Sequence, residues 1–324
     1  LIQGKLITVL RWRLLSSFCL VSLLVTAAYF DWRWGQPESL AMPGIMALLL
    51  LSLFAALAAI EFGMLILPAI GGSVRHHWVM VLATVMVVVS CCINTVLPDE
   101  WQATDAGGRW LLASMVLGGL LSIGLEMFYF GKTAQGEPSH QVLGRIAATV
   151  LSTLYIGVPL GVLGLLRQTP SNSFGLWALL TVLAIPKISD SGAFFVGRSL
   201  GRHKLIPRLS PGKTIEGAVG GFVFGVLGSL LMCYVIAPLL FRMPVPLNGG
   251  WAIAYGLWIA LAGMLGDLAE SMFKRDARIK DSGGWLPGLG GMLDVVDSVL
   301  AASLAAYLFW QIVPNMGAVP SLGH

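Results

Sequence analysis

A chain of 324 residues that is 56% hydrophobic and only 11% charged, with a mean hydropathy of +0.82, lies outside the range of an ordinary soluble domain. Its net charge of +4 sits in short loops, with no long basic tail and no aromatic-interleaved stripe. That distribution argues against a nucleic-acid binder and for anionic lipid or nucleotide phosphates as partners.

The implied fold class is all-α: a polytopic integral membrane protein built from apolar stretches of about 20 residues, the length that crosses a bilayer. In chain order the predicted spans are 14–30, 45–70, 78–97, 110–130, 142–166, 174–196, 215–240, 251–268 and 288–310, nine in all. The first follows Arg11 and Arg13 as the core of a signal peptide would. It runs into Tyr29-Phe30-Asp31-Trp32 instead of a small-residue cleavage site, and so reads as a retained anchor. With the N-terminus cytoplasmic, only Arg33, Arg109, Arg167 and Arg242 fall outside, and Lys187 lies within a span. An error of one span would put the basic loops on the wrong sides, so count and orientation support each other. Cys19, Cys91, Cys92 and Cys233 all fall in spans without metal-type spacing and read as packing residues.

Residues 1–170 are apolar helix after apolar helix, expected to be scaffold. Their exceptions, Glu61 and Glu126, are expected near a cytoplasmic helix end or hydrogen-bonded to a neighbour, outside any site. From 171 to 324 the texture changes: charge enters a span, glycines multiply, and two cytoplasmic loops, 197–214 and 269–287, carry nine of this half's eleven lysines and arginines. The chemistry is expected in this half.

Four constellations carry it. Lys187 and Asp190 stand one helical turn apart, which allows an ion pair or a direct ligand role for Asp190. Next, Ser210-Pro211-Gly212-Lys213-Thr214-Ile215-Glu216 reads as a Pro-Gly turn feeding a helix start. Free backbone N–H groups, the Lys213 ammonium and the Ser210 and Thr214 hydroxyls can hold phosphate there. A Walker A loop would need glycine where Pro207 stands, so that motif is rejected. Third, Asp267, Glu270 and Lys274 fall on one helical face, an acidic pair beside a cation that suits a divalent metal bound to phosphate. Fourth, the glycine turn Gly288-Leu289-Gly290-Gly291 enters the last span, where Asp294 and Asp297 again share a face. Two carboxylate pairs near membrane depth imply a metal centre of one or two ions.

Taken in order, KISDSGAFFVGRSLGRHK, SPGKTIEG, GDLAESMFKRDARIKDSGG and LPGLGGMLDVVDS resemble the phosphatidate cytidylyltransferase family, the CDP-diacylglycerol synthases. The resemblance covers about 187–298; the earlier spans match only in hydropathy. It implies an Mg²⁺-dependent membrane enzyme that takes CTP and phosphatidic acid to CDP-diacylglycerol and pyrophosphate in phospholipid biosynthesis. On that basis Asp267, Asp294, Asp297 and Lys274 are the expected catalytic residues, and Asp267, Glu270, Asp294 and Asp297 the expected metal set, with room for a second, different cation. Substrate binding falls to Asp190, Ser210, Lys213, Thr214, Glu216, Lys280, Asp281, Gly288, Gly290 and Gly291. The family's usual PGHGG and DR-x-D units are altered, because Leu289 and Val295 occupy the histidine and arginine places. The implied location is a bacterial-type inner membrane with the site facing the cytoplasm, and a homodimer is left open. A CTP-dependent kinase of a polyprenol-type lipid alcohol is the alternative, with a secondary transporter behind it.

Overall fold

The computed structural model describes residues 2–35, 44–93, 106–130, 141–169, 171–279, 282–283 and 290–313. Among these, nine helical stretches are long and apolar enough to cross a membrane, in the order and nearly the positions expected from hydropathy. Chain contacts divide the protein into two compact units, Leu1–Gly164 with Asp276–Val296, and Leu165–Arg275 with Asp297–His324.

The first unit is built on α1 (Ile2–Trp34), α2 (Ile45–Ile66), α3 (Val74–Cys91), α4 (Ala106–Tyr129) and α5 (Val142–Ser152). A π-turn at Thr153–Gly157 links α5 to α6 (Val158–Arg167). Lipid tails are as apolar as leucine, so hydrophobicity alone does not drive these helices together, and small side chains and buried hydroxyls supply the contacts. Ala55, Ala58 and Ala59 of α2 are fully buried, and the Thr84 and Ser90 hydroxyls pair with those of Ser152 and Ser114 at 2.8 Å. Asp31 of α1 caps the next helix: its Oδ1 accepts the Met46 and Ala47 N–H groups at 3.0 and 3.3 Å, where Gly44 offers no side chain.

Glu126 is paired, as its position within a span requires. Its two oxygens accept from Arg145 Nε and Nη2 at 2.7 and 2.8 Å, and His76 Nε2 lies 3.0 Å from Oε1. His76 Nδ1 accepts the Ser73 N–H at 2.9 Å, which leaves the ring proton on Nε2 facing Glu126. Glu126 and Arg145 are 6% and 7% exposed, so removing Glu126 takes a bidentate anionic acceptor from a buried guanidinium. Glu126→Ala is therefore expected to cost about 3–5 kcal/mol. Thermal unfolding in detergent checks this, and a melting temperature equal to wild type would contradict it.

The second unit holds α7 (Asn172–Leu200), the strands β1 (Lys204–Ile206) and β2 (Ser210–Thr214), α8 (Ile215–Leu231), α9 (Ala237–Leu240), α10 (Gly249–Asp276) and most of α11 (Met292–Ile312). Its core is an aromatic cluster of Phe174, Trp177, Tyr255, Phe309 and Trp310, with ring centroids 4.8–5.8 Å apart. Trp177 Nε1 donates to the Met232 carbonyl at 2.9 Å, where the π-turn Met232–Ile236 interrupts the helical ladder. Glycine brings α8 and α10 to backbone contact: a Cβ on Gly256 would sit 2.7 Å from Val226 Cα.

The hairpin departs from expectation. Ser210–Thr214 is a strand, not a turn entering a helix; it pairs antiparallel with β1 through Lys204↔Thr214 and Ile206↔Ser210. The helix begins after it, with Thr214 as N-cap accepting the Gly217 N–H at 3.1 Å.

Candidate active site

Gly266 determines how closely α10 meets α11, since a Cβ there would collide with the Asp297 carbonyl oxygen. The next residue, Asp267, is thereby brought beside Asp297, and Glu270 follows one turn along. One oxygen from each of Asp267, Glu270 and Asp297 lies within 4.8 Å of the others. Glu270 and Asp297 are buried.

Each carboxylate has a lysine. Lys213 Nζ, from β2, lies 2.7 Å from Asp267 Oδ2. Lys274 Nζ lies 2.7 Å from Glu270 Oε2, the i,i+4 contact expected on a helical face. Lys187 Nζ, from α7, lies 3.5 Å from Asp297 Oδ1 and donates to Ser298 Oγ at 2.9 Å. Three acids facing three lysines limit the uncompensated charge around the two buried carboxylates, Glu270 and Asp297. An all-oxygen donor set of this size suits a hard divalent cation, which takes few carboxylates and completes its shell with phosphate oxygens and water.

The remaining expected residues distribute unevenly. Asp190 adjoins this group, with Oδ2 4.0 Å from Lys187 Nζ, so Lys187 favours α11 over its helical neighbour. Glu216 ties the hairpin down: it accepts the Arg202 and His203 N–H groups at 3.1 and 3.2 Å and meets His203 Nδ1 at 2.7 Å. Ser210 and Thr214 open and close β2.

Asp294 belongs to the first unit, where its Oδ2 accepts from Ser282 Oγ and the Gly291 N–H at 2.8 Å. Gly290 and Gly291 form the turn before α11, Gly290 at φ +91. Lys280, Asp281, Gly288 and Leu289 lie outside the described residues.

Lys187 and Glu61 have partners that lie far away in the sequence. Local spacing offers Lys187 only Asp190, whereas its nearer partners, Asp297 and Ser298, stand on α11. Glu61, expected to hydrogen-bond a neighbour, does so by accepting the first two N–H groups of α11, with Ser282 Oγ 3.3 Å away; that its neighbour is the start of α11 is not visible in local spacing. A lone acid in a span of mean hydropathy 2.4 was the available signal, since buried carboxylates keep partners.

The profile of the cytidylyltransferase family matches residues 6–313. Phosphatidate cytidylyltransferase of Brucella suis is 35% identical over 246 residues, covering 69% of this chain and 83% of that protein. The Bacillus subtilis phosphatidate cytidylyltransferase is 39% identical over 156 residues, 48% of this chain and 55% of its own. An uncharacterized Escherichia coli protein, YnbB, is 39% identical over 145 residues, 45% of this chain and 46% of its own. With a match that spans nearly its whole length, the chain belongs to the cytidylyltransferase family and is a nucleotidyltransferase of the membrane.

Proposed function

We propose that this protein transfers CMP from CTP to phosphatidic acid, giving CDP-diacylglycerol and pyrophosphate. The observation that carries the reading is the group of Asp267, Glu270 and Asp297, matched lysine for carboxylate, on helices long enough to span a bilayer. That donor set suits a triphosphate bound with Mg²⁺, in a chain related to phosphatidate cytidylyltransferases.

An ion held by Asp267, Glu270 and Asp297 would supply charge neutralisation at the nucleotide phosphates. The protein's own groups do the rest. Lys213 stands on a hairpin strand and Lys274 in the last turn of α10, both suited to meet the β- and γ-phosphates of a nucleotide arriving from the loop side. Lys187 lies within the α7 span beside Ser298, suited to the phosphate of a lipid arriving from the bilayer. A phosphatidate oxygen attacks the α-phosphorus in line, the bond to the bridging oxygen breaks, and its electrons leave with pyrophosphate. At neutral pH the attacking oxygen is already anionic, so no general base is needed. Asp294, held by Ser282 and the Gly291 N–H, would orient the glycine turn.

The positive-inside distribution supports a cytoplasmic N-terminus and a site facing the cytoplasm, with lateral access for lipid from the inner leaflet of a bacterial-type membrane. Incubating the purified protein with α-labelled nucleotides, Mg²⁺ and either phosphatidic acid or a polyprenol tests the reading. Label from CTP is expected in the lipid phase with phosphatidic acid alone. Label that enters lipid only from γ-labelled CTP with polyprenol would assign the chain to lipid-alcohol phosphorylation instead.

A further inference from the structure

Glu61 lies in the last two turns of α2, 2% exposed, within an apolar span. Its two oxygens divide the start of α11 between them. Oε1 accepts the Met292 N–H and Oε2 the Leu293 N–H, both at 2.8 Å, and Ser282 Oγ stands 3.3 Å from Oε2. Those amides belong to the first helical turn, whose donors no helix satisfies by itself, and the positive end of the helix dipole favours an anion there.

A Ser or Thr at the N-cap position would serve an ordinary helix start without burying a charge. Here that position is Gly291, and it has no room for a side chain: a Cβ would run into Glu61 Oε2. Gly283 is likewise confined, its Cβ position 2.7 Å from Glu61 Oε1. From within α11, Asp294 reaches back to the Gly291 N–H at 2.8 Å and takes the Ser282 hydroxyl at 2.8 Å and its N–H at 3.3 Å. The cap has thus been moved to another helix, and the Gly290-Gly291 backbone is held from two sides, by Asp294 at Gly290 and by Glu61 at Gly291. Ser282 links the two carboxylates that do so.

We infer that Glu61 is a positioning residue for the transfer reaction: its carboxylate locks the glycine turn and Asp294 in the conformation the reaction uses. The inference rests on the proposed activity for what the turn serves, while the lock itself is a property of the first unit alone. Glu61→Gln keeps the volume but offers one acceptor where two amides need one each. At matched folded protein, kcat for CMP transfer is expected to fall about 10- to 100-fold with KM for phosphatidic acid unchanged. Amide exchange at Met292 and Leu293 is expected to accelerate about tenfold, with exchange in α3 and α10 unaltered.

Ser282→Ala, a milder change, is expected to move both readouts in the same direction, which keeps the test open should Glu61→Gln fail to insert. Faster exchange with wild-type kcat would reduce Glu61 to a structural cap and overturn the inference, as would lost activity with unaltered exchange. Absence of transfer by the wild-type protein would count against the proposed function, and the exchange readout would still decide whether Glu61 holds the turn.

Discussion

Asp267→Asn and Asp297→Asn are each expected to reduce CMP transfer by roughly 10²–10³-fold or more while the protein still inserts and folds. The two oxygens lie within 4.8 Å of each other and of Glu270, so an amide at either place removes one unit of charge from a three-carboxylate group. It also puts an N–H donor where a cation would need an oxygen. Asparagine nearly preserves the volume, and Gly266 still allows α10 and α11 to approach, so packing is retained. The lysines respond differently in the two variants. Lys213 and Asp267 are 23% and 31% exposed, and their separation is cheap. Lys187 keeps Ser298 Oγ at 2.9 Å when Asp297 loses its charge. Turnover assayed on size-exclusion-pure protein checks this, and wild-type rates in either variant would remove the carboxylate from the site.

Lys213→Met is expected to lower kcat/KM for CTP by about a hundredfold with little change in stability. Its ion pair with Asp267 is partly exposed, of a kind worth about 0–1 kcal/mol to folding, whereas the same ammonium beside a triphosphate acts on charge that develops during transfer. Lys274→Met is the contrasting case. Its partner Glu270 is 1% exposed, so the variant removes a 2.7 Å ion pair from a buried carboxylate and should lose more stability than Lys213→Met, up to about 3–5 kcal/mol, together with activity. Activity and melting temperature measured on the same preparations separate the two. Equal stability losses in both variants would contradict the burial argument. Unaltered CTP dependence in Lys213→Met would take the hairpin lysine out of nucleotide binding.

Much of this architecture is legible in the sequence because membrane burial imposes simple rules. Long apolar runs have one economical solution in lipid, the helix, and hydropathy locates each of the nine spans found among the described residues. The pairing of Asp267, Glu270 and Lys274 is equally local, a matter of helical spacing. The parts that escape are those decided by distant chain. Ser210–Thr214 carries a Pro-Gly pair that suggests a turn, yet it becomes a strand because Lys204–Ile206 lies alongside. Lys187 pairs with α11, more than a hundred residues away, although Asp190 is its nearest acid in sequence. Asp294 shares a helical period with Asp297, but the Gly291 N–H and Ser282 engage it within the first unit. The charge of Glu61 is conspicuous in the sequence, and its purpose becomes visible only when the amides of Met292 and Leu293 are found against it.

The identity of the soluble product tests the central claim most directly, because CMP transfer and phosphoryl transfer from CTP leave different molecules behind. Phosphorus NMR of a reaction containing the purified protein, CTP, Mg²⁺ and phosphatidic acid is predicted to show pyrophosphate rising in step with a lipid diphosphate signal. Accumulation of CDP in solution, with no pyrophosphate, would contradict it.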